Sequence, residues 1–358
     1  MLKMDTEFSK RLISWYLQNK RELPWRTTTN PYAVWLSEII LQQTRVAQGL
    51  PYYQKFITTF PSIHDLAAAP QEQVLKLWQG LGYYSRARNL HETAKNVVVN
   101  YNGKFPDNYK ELLNLKGVGD YTASAIASIC YNEAAAVVDG NVYRVLSRIF
   151  GIETPINSTK GQKEFKALAQ QLINPQKPGT HNQAIMEFGA RYCVPQNPDC
   201  SNCIFNDSCE AFGKRKVASL PFKLKKGAIK KRYFNYLVFI SEDNKTHIEQ
   251  RTKKGIWQQL YQFPLVETKN QATIKTLMED NDFLKLTNQF SEVDITQYNN
   301  APILHKLSHQ HLYTTFWIIF ISEKLQNGIA ISTIDDYAVP VLISNFISEF
   351  TTFNNLKN

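Results

Sequence analysis

Four of the chain's five cysteines fall together, at Cys193, Cys200, Cys203 and Cys209, with six, two and five residues between them. Four thiolates in so short a loop can close around an iron–sulfur cluster or a single zinc ion. Zinc sites usually present two C-x-x-C knuckles, and here only Cys200–Cys203 forms one. The unequal gaps therefore favour a cubane iron–sulfur cluster. A rigid element must deliver the first ligand, and Asn182–Ala190 reads as the helix that brings Cys193 into place. Nothing around the cysteines supplies a substrate pocket, so their expected role is structural. Cys130 sits alone in the apolar run Ala123–Tyr131 and reads as a buried thiol.

Up to about Glu210 the sequence reads as consecutive helices, broken at short intervals by Gly and Pro. Asn30–Pro31 is an N-cap followed by proline at the first helical position, opening a helix expected to run through Arg45. Further helical patterns cover 71–78, 85–99, 108–115, 121–131, 142–150, 160–172 and 182–193. After Arg232 the period changes. Tyr233–Ser241 and Leu312–Ser322, rich in aromatic and β-branched residues, read as strands, with helices at Ile274–Met278 and Pro340–Phe350. The expected architecture is a mainly α region followed by a smaller α+β unit. No stretch reaches the roughly 20 apolar residues of a membrane helix. Met1–Lys20 reads as an amphipathic helix rather than a signal peptide, which predicts a cytoplasmic location.

Nine basic residues and no acidic one lie between Lys214 and Arg232, nearly the whole of the formal net charge of +10. Such an excess suits a polyanion such as nucleic acid, or else a solvated linker.

Two stretches carry candidate chemistry. In Leu115-Lys116-Gly117-Val118-Gly119-Asp120-Tyr121-Thr122-Ala123, two glycines make a tight turn between helices. Backbone N–H groups there can approach an anion beside a helix N-terminus. Asp139 follows the apolar run Ala136–Val138 and precedes a helix, an N-cap position whose N–H donors should keep it ionised. Glu38, by contrast, lies within the apolar helix Val34–Leu41, where desolvation would raise its pKa and keep a proton available. A carboxylic acid paired with a carboxylate is the arrangement that glycosidic cleavage needs.

Together these motifs resemble the helix-hairpin-helix glycosylase superfamily with an iron–sulfur loop, and within it most closely the adenine DNA glycosylases of the MutY type. The resemblance rests on Leu23-Pro24-Trp25-Arg26, Ser37-Glu38, Leu41 through Val46, Gly80 through Tyr84, the hairpin, Asp139-Gly140-Asn141 and the four cysteines, in that order. It covers nearly the whole chain. It implies a glycosylase region over 1–212, with a helical barrel subdomain at 26–132 and an iron–sulfur subdomain from 1–25 and 133–212. A basic linker at 213–232 and a MutT-like, Nudix-fold lesion-recognition domain at 233–354 would follow. A 4Fe–4S cluster, double-stranded DNA with adenine opposite 8-oxoguanine or guanine, and a nucleoid-associated monomer are implied as well.

The same resemblance implies roles for particular residues. Glu38 would protonate adenine at N7, and Asp139 would stabilise the oxocarbenium-like sugar, with Tyr121 and Asn141 assisting. Trp25, Arg26 and Gln183 would hold the flipped adenine. Gln42, Gln43, Thr44 and Tyr83 fall in DNA-contacting motifs, Gln43 and Tyr83 as wedges, and Gly117 and Gly119 would grip a phosphate. Endonuclease III-type relatives place a Schiff-base lysine where this chain has Tyr121, so hydrolysis without strand cutting is expected. Lys116 elsewhere in the hairpin is expected to contact phosphate. Gly255-Ile256-Trp257 through Phe263-Pro264 resembles the Nudix-like domain, without the carboxylate run that would hold Mg²⁺. Leu307-Ser308-His309 matches the loop that contacts the oxidised guanine. Leu307 replaces the family's Phe, Val194–Asp199 lacks basic residues, and Tyr143 stands where some relatives carry Lys.

Overall fold

The computed structural model describes residues 2–225, 227 and 229–357; Met1, Asn358 and, within the basic run, Lys226 and Ala228 lie outside them. The chain divides into two units, Met1–Ala69 with Asn89–Lys225, and Pro70–Arg88 with Lys226–Asn358.

The helical region contains α1 (Leu2–Asn19), a 3-10 turn at Pro24–Arg26, α2 (Pro31–Leu41), α3 (Val46–Thr59) and α4 (Ile63–Ala68). Next come α5 (Gln71–Trp78), which belongs to the second unit, and α6 (Ser85–Tyr101), within which the division falls. α7 (Tyr109–Leu112), α8 (Asp120–Tyr131), α9 (Gly140–Phe150), α10 (Thr159–Leu172), α11 (Pro178–Arg191) and α12 (Glu210–Gly213) follow. Asn30 caps α2 by accepting from the N–H groups of Tyr32 and Ala33. The helix stops at Leu41 rather than Arg45, and Gln43 takes a φ of 55°. Neither Gly nor Pro marks this break. At the break Gln42 Nε2 donates to Thr122 Oγ1 on α8 at 3.2 Å, a tertiary contact that no local pattern signals. Helices α3 and α4 form where the sequence pattern predicts no helix.

On α9, Val142, Val145, Leu146 and Ile149 form one helical face. They pack with Leu12 and Trp15 of α1, Phe165 of α10, Phe188 of α11 and Phe205 of the cysteine loop. Gly189 lets α11 approach closely, since a Cβ there would stand 2.7 Å from the Cβ of Asn141.

The second unit continues with β1 (Lys230–Ser241), β2 (Lys245–Thr246), β3 (Glu249–Gln250), β4 (Tyr261–Gln262) and β5 (Leu265–Thr268). α13 (Ile274–Met278), α14 (Asn281–Thr287), β6 (Val293–Gln297), β7 (Ile303–Lys306) and β8 (Gln310–Ile321) come next. β9 (Ile329–Ala330), α15 (Val341–Glu349) and α16 (Thr351–Lys357) complete it. The main sheet has the order β5-β1-β8-β6, with β7 also on β8. β1 and β8 run parallel from Lys230–Gln310 to Ser241–Ile321. Neighbouring residues of β8 face opposite sides. Trp317 packs with Leu277 and Phe283 of α13 and α14, while Phe316 stacks on Phe346 of α15 at 4.1 Å between centroids. Helices therefore cover both faces. α5 is tied into this unit by Gln71 to Gln259 at 2.6 Å and Gln79 to Ser344 at 3.0 Å.

Candidate active site

Glu38 is the one charged residue in the buried stretch Tyr32–Ile40 of α2, and it is 8% exposed. Burial pushes its carboxyl up to about 7; a hydrogen bond with Tyr121 and the charge of Arg26 oppose the rise, and Asp139 adds to it. Tyr121, at the start of α8, is half-buried, and desolvation together with the nearby Glu38 and Asp139 carboxyls holds its hydroxyl well above the usual range and therefore protonated. The same hydroxyl lies 3.1 Å from Met186 Sδ.

Asp139 is the N-cap of α9. Its Oδ1 accepts from the N–H groups of Asn141 at 2.9 Å and Val142 at 2.8 Å, and its Oδ2 accepts from Asn141 Nδ2 at 2.8 Å. These bonds favour the carboxylate, as the sequence implies. Burial outweighs them, however, so the pKa is raised from its ordinary value rather than lowered.

One cleft of the first unit is lined by Glu38, Tyr121, Asp139 and Asn141 together with Trp25, Arg26 and Gln183. Gln42, Gln43, Thr44 and Gly119 line it too, whereas Gly117 does not. Gly117, at φ 76°, turns the hairpin; a Cβ there would meet Asn89 Cβ at 2.9 Å. In the second unit, Leu307, Ser308 and His309 form the tip between β7 and β8, and Ser308 Oγ is 2.7 Å from the hydroxyl of Tyr83. Gln43 and Tyr83 both hold positive φ, 55° and 47°, an uncommon backbone state for residues with side chains.

Several residues that line or brace the cleft were not legible as motifs. Glu187 is buried and accepts from Arg21 Nη2 and Arg26 Nη2, each at 2.7 Å. Burial alone would raise its pKa, but the bonds from Arg21 and Arg26 bring it down to about 2. Tyr16 donates to Gln183 Oε1 at 2.7 Å and lies under the Arg26 guanidinium. Arg144 bonds Asn141 Oδ1 and the carbonyls of Gly189 and Cys193.

Cys193, Cys200, Cys203 and Cys209 line one small cavity with Arg148, Phe188 and Tyr192. Among the described residues, no three His, Cys, Asp or Glu side chains are arranged to hold a single metal ion. Four thiols spread around a cavity fit a polynuclear cluster better than one zinc. Burial, with neighbouring cysteines adding to it, pushes Cys203 up to about 11 and raises Cys200 and Cys209. Val194–Asp199 has no basic residue of its own, but buried Arg148 donates to the carbonyls of Val194 at 2.7 Å and Pro195 at 2.9 Å.

Residues 36–175 match the HhH-GPD superfamily of base excision DNA repair proteins, and 235–349 match the NUDIX domain. Over 314 residues the chain is 35% identical to the adenine DNA glycosylase of Buchnera aphidicola subsp. Baizongia pistaciae, covering 87% of this chain and 86% of that protein. It is 47% identical to the Homo sapiens adenine DNA glycosylase over 215 residues, 58% of this chain and 39% of the human protein. Among solved structures, a thermostable thymine-DNA glycosylase is 31% identical with a TM-score of 0.55, over 59% of this chain and 98% of that one. An endonuclease III–DNA complex, 21% identical with a TM-score of 0.52 over 60% of this chain and 98% of that one, shares the fold.

Proposed function

The chain belongs to the adenine DNA glycosylase family, and we propose that it hydrolyses the N-glycosidic bond of adenine paired with 8-oxoguanine or guanine. The observation that carries this reading is the pairing, in one cleft, of Glu38 raised to about 7 with an N-capped Asp139. Protonated Glu38 delivers its proton to N7 of the flipped adenine and weakens the bond to the sugar. The Asp139 carboxylate, oriented by Asn141, stabilises the positive charge that develops on the sugar. Tyr121 keeps its hydroxyl proton and steadies Glu38. Water completes the hydrolysis. Trp25, Arg26 and Gln183 hold the base.

Glycosidic cleavage without strand cutting is supported by Tyr121, which cannot form an imine, and by a cleft lined by no lysine among the described residues. Gln42, Gln43, Thr44 and Tyr83 contact the DNA, with the hairpin at Gly117 and Gly119 on a phosphate. Leu307, Ser308 and His309 read the oxidised guanine. By sequence the glycosylase region is assigned to 1–212 and the lesion-recognition domain to 233–354, with the basic run 213–232 between them, whereas by contacts Pro70–Arg88 group with the second unit and the first extends to Lys225. A 4Fe–4S cluster on the four cysteines orders the loop after α11, and four irons per chain with broad visible absorbance are its signature.

The test is a duplex with adenine opposite 8-oxoguanine, incubated with the parent and with Glu38→Gln. Free adenine without strand scission, lost in the variant, is the expected result. Scission without added base would instead indicate a lyase. Binding without release by either protein would leave a non-enzymatic iron–sulfur DNA-binding protein.

A further inference from the structure

We infer that Gln170 of α10 and Asn182 of α11 are positioning residues for Asp139, holding the segment that carries it as two neighbouring strands would. The inference rests on Asp139 being the reacting carboxylate, as proposed above. Residues 132–139 join α8 to α9 and belong to no helix or strand, yet Ala135, Ala136 and Val137 are buried. Buried peptide groups need partners. Gln170 Oε1 accepts from the Ala136 N–H at 3.0 Å, and Gln170 Nε2 donates to the Ala134 carbonyl at 2.5 Å. Asn182 Oδ1 accepts from the Val137 N–H at 3.1 Å, and Asn182 Nδ2 donates to the Ala135 carbonyl at 2.8 Å.

The pairing alternates. Backbone groups of Ala134 and Ala136 turn to α10, and those of Ala135 and Val137 turn to α11. That is the pattern of a strand with a neighbour on each edge. Here the neighbours are two primary amides, each presenting a donor beside an acceptor as a peptide does. A carboxylate at either site would lose the donor, and an aliphatic side chain would lose both. Lys166, four residues before Gln170, adds a bond to the Ala136 carbonyl at 2.7 Å. Asn182 Nδ2 also reaches Ser128 Oγ at 2.8 Å, tying the segment to α8, the helix of Tyr121. Two residues beyond Val137 the chain sets Asp139 as a cap, so a slip in the segment moves the carboxylate against the sugar.

The experiment compares the parent with Gln170→Met, Asn182→Asp and Asp139→Asn, reading single-turnover adenine release, affinity for an uncleavable duplex and thermal melting. Gln170 is exposed, so Gln170→Met is the variant that keeps its fold. Release should slow by about tenfold or more in Gln170→Met and Asn182→Asp, as a small misplacement of a reacting group does, with affinity within about twofold. If Asp139→Asn stops release while Gln170→Met releases adenine at the parent rate, the positioning role is overturned and Asp139 keeps its own. If Asp139→Asn releases adenine at the parent rate, it is the reading of Asp139 that fails.

Discussion

Arg144 Nε lies 2.7 Å from the carbonyl oxygen of Cys193, so the base of the cysteine loop is bonded directly to the helix that Asp139 caps. The same guanidinium reaches Asn141 Oδ1 at 2.9 Å, and Asn141 Nδ2 reaches Asp139 Oδ2 at 2.8 Å. Three hydrogen bonds thus run from the first cysteine to the carboxylate. Replacing Arg144 by Lys keeps the charge but not the planar fork that spans these acceptors. Arg144→Lys should slow single-turnover adenine release by about tenfold, roughly 1.4 kcal/mol, without a matching loss of DNA affinity. An unchanged rate would show that the bonds to Asn141 do not orient Asp139.

The pH profile of base release should be bell-shaped. Glu38, at about 7 through burial, must be protonated, so the rate falls as pH rises past that value. Asp139, raised by burial against its cap bonds, must be ionised, so the rate also falls on the acid side. Stability carries the same sign. A carboxyl whose folded pKa is raised favours the fold below its ordinary value of 4.5 and loses that contribution as pH rises through about 7. Glu38→Gln should therefore melt higher than the parent above neutrality and show no alkaline limb in its residual activity. A parent rate that stays flat from pH 6 to 9 would remove Glu38 as the acid.

The burial and raised pKa of Glu38 were legible because it is the lone charge in an apolar helix, and the gathering of the four cysteines around one cavity because they fall so close in sequence. Asp139 was legible as a cap, but not the net direction of its pKa. Cap bonds are local, whereas its burial comes from helices distant in sequence. Arg144, Glu187, Gln170 and Asn182 were invisible as a group for the same reason. Each is an ordinary helical residue until folding brings its partner, from Cys193 to Arg21 to Ala136, within reach. The break after Leu41 lacks a Gly or Pro signal, and the Gln42–Thr122 contact beside it joins residues distant in sequence. Likewise α5 reads as one more helix of the first region, yet Gln71 bonds Gln259 and Gln79, the residue just after the helix, bonds Ser344.

Glu187 holds two cations from a buried position, and losing it should harm both stability and the pocket proposed to hold adenine. Breaking a buried pair by removing one partner costs about 3–5 kcal/mol, because the other charge is left without compensation. Arg21 is partly exposed and can relax into water; Arg26, with a side chain only 12% exposed, cannot do so as freely. Glu187→Gln should therefore lower the melting temperature and weaken retention of adenine, with Arg26 freed from its place. With a folded pKa of about 2 against an ordinary 4.5, the stabilisation is present above the ordinary value and lost as pH falls towards 2. If the parent and variant differ equally at pH 7 and pH 3, the ion pair is not the source of the effect.

The hairpin contains an acid where a phosphate would sit best. Asp120 is the first residue of α8, immediately after Gly119, and a carboxylate there opposes the pull of the helix N-terminus on a DNA phosphate. Its charge is answered locally: Lys166 Nζ lies 2.9 Å from Oδ2 and the Tyr109 hydroxyl 2.6 Å from Oδ1. Lys166 comes from α10, so a helix outside the hairpin balances its charge. Asp120→Asn should tighten binding to an undamaged duplex, by a few-fold at low salt and less as salt screens the charge. Lys166→Met should weaken binding over the same salt range, because the carboxylate is then left facing the phosphate. In the double variant the loss should largely disappear, which separates charge balance from damage to the fold. Fluorescence anisotropy at two salt concentrations measures all three. If the double variant binds as weakly as Lys166→Met, the lysine acts through the Ala136 carbonyl or by contacting DNA itself, and Asp120 is not what it neutralises.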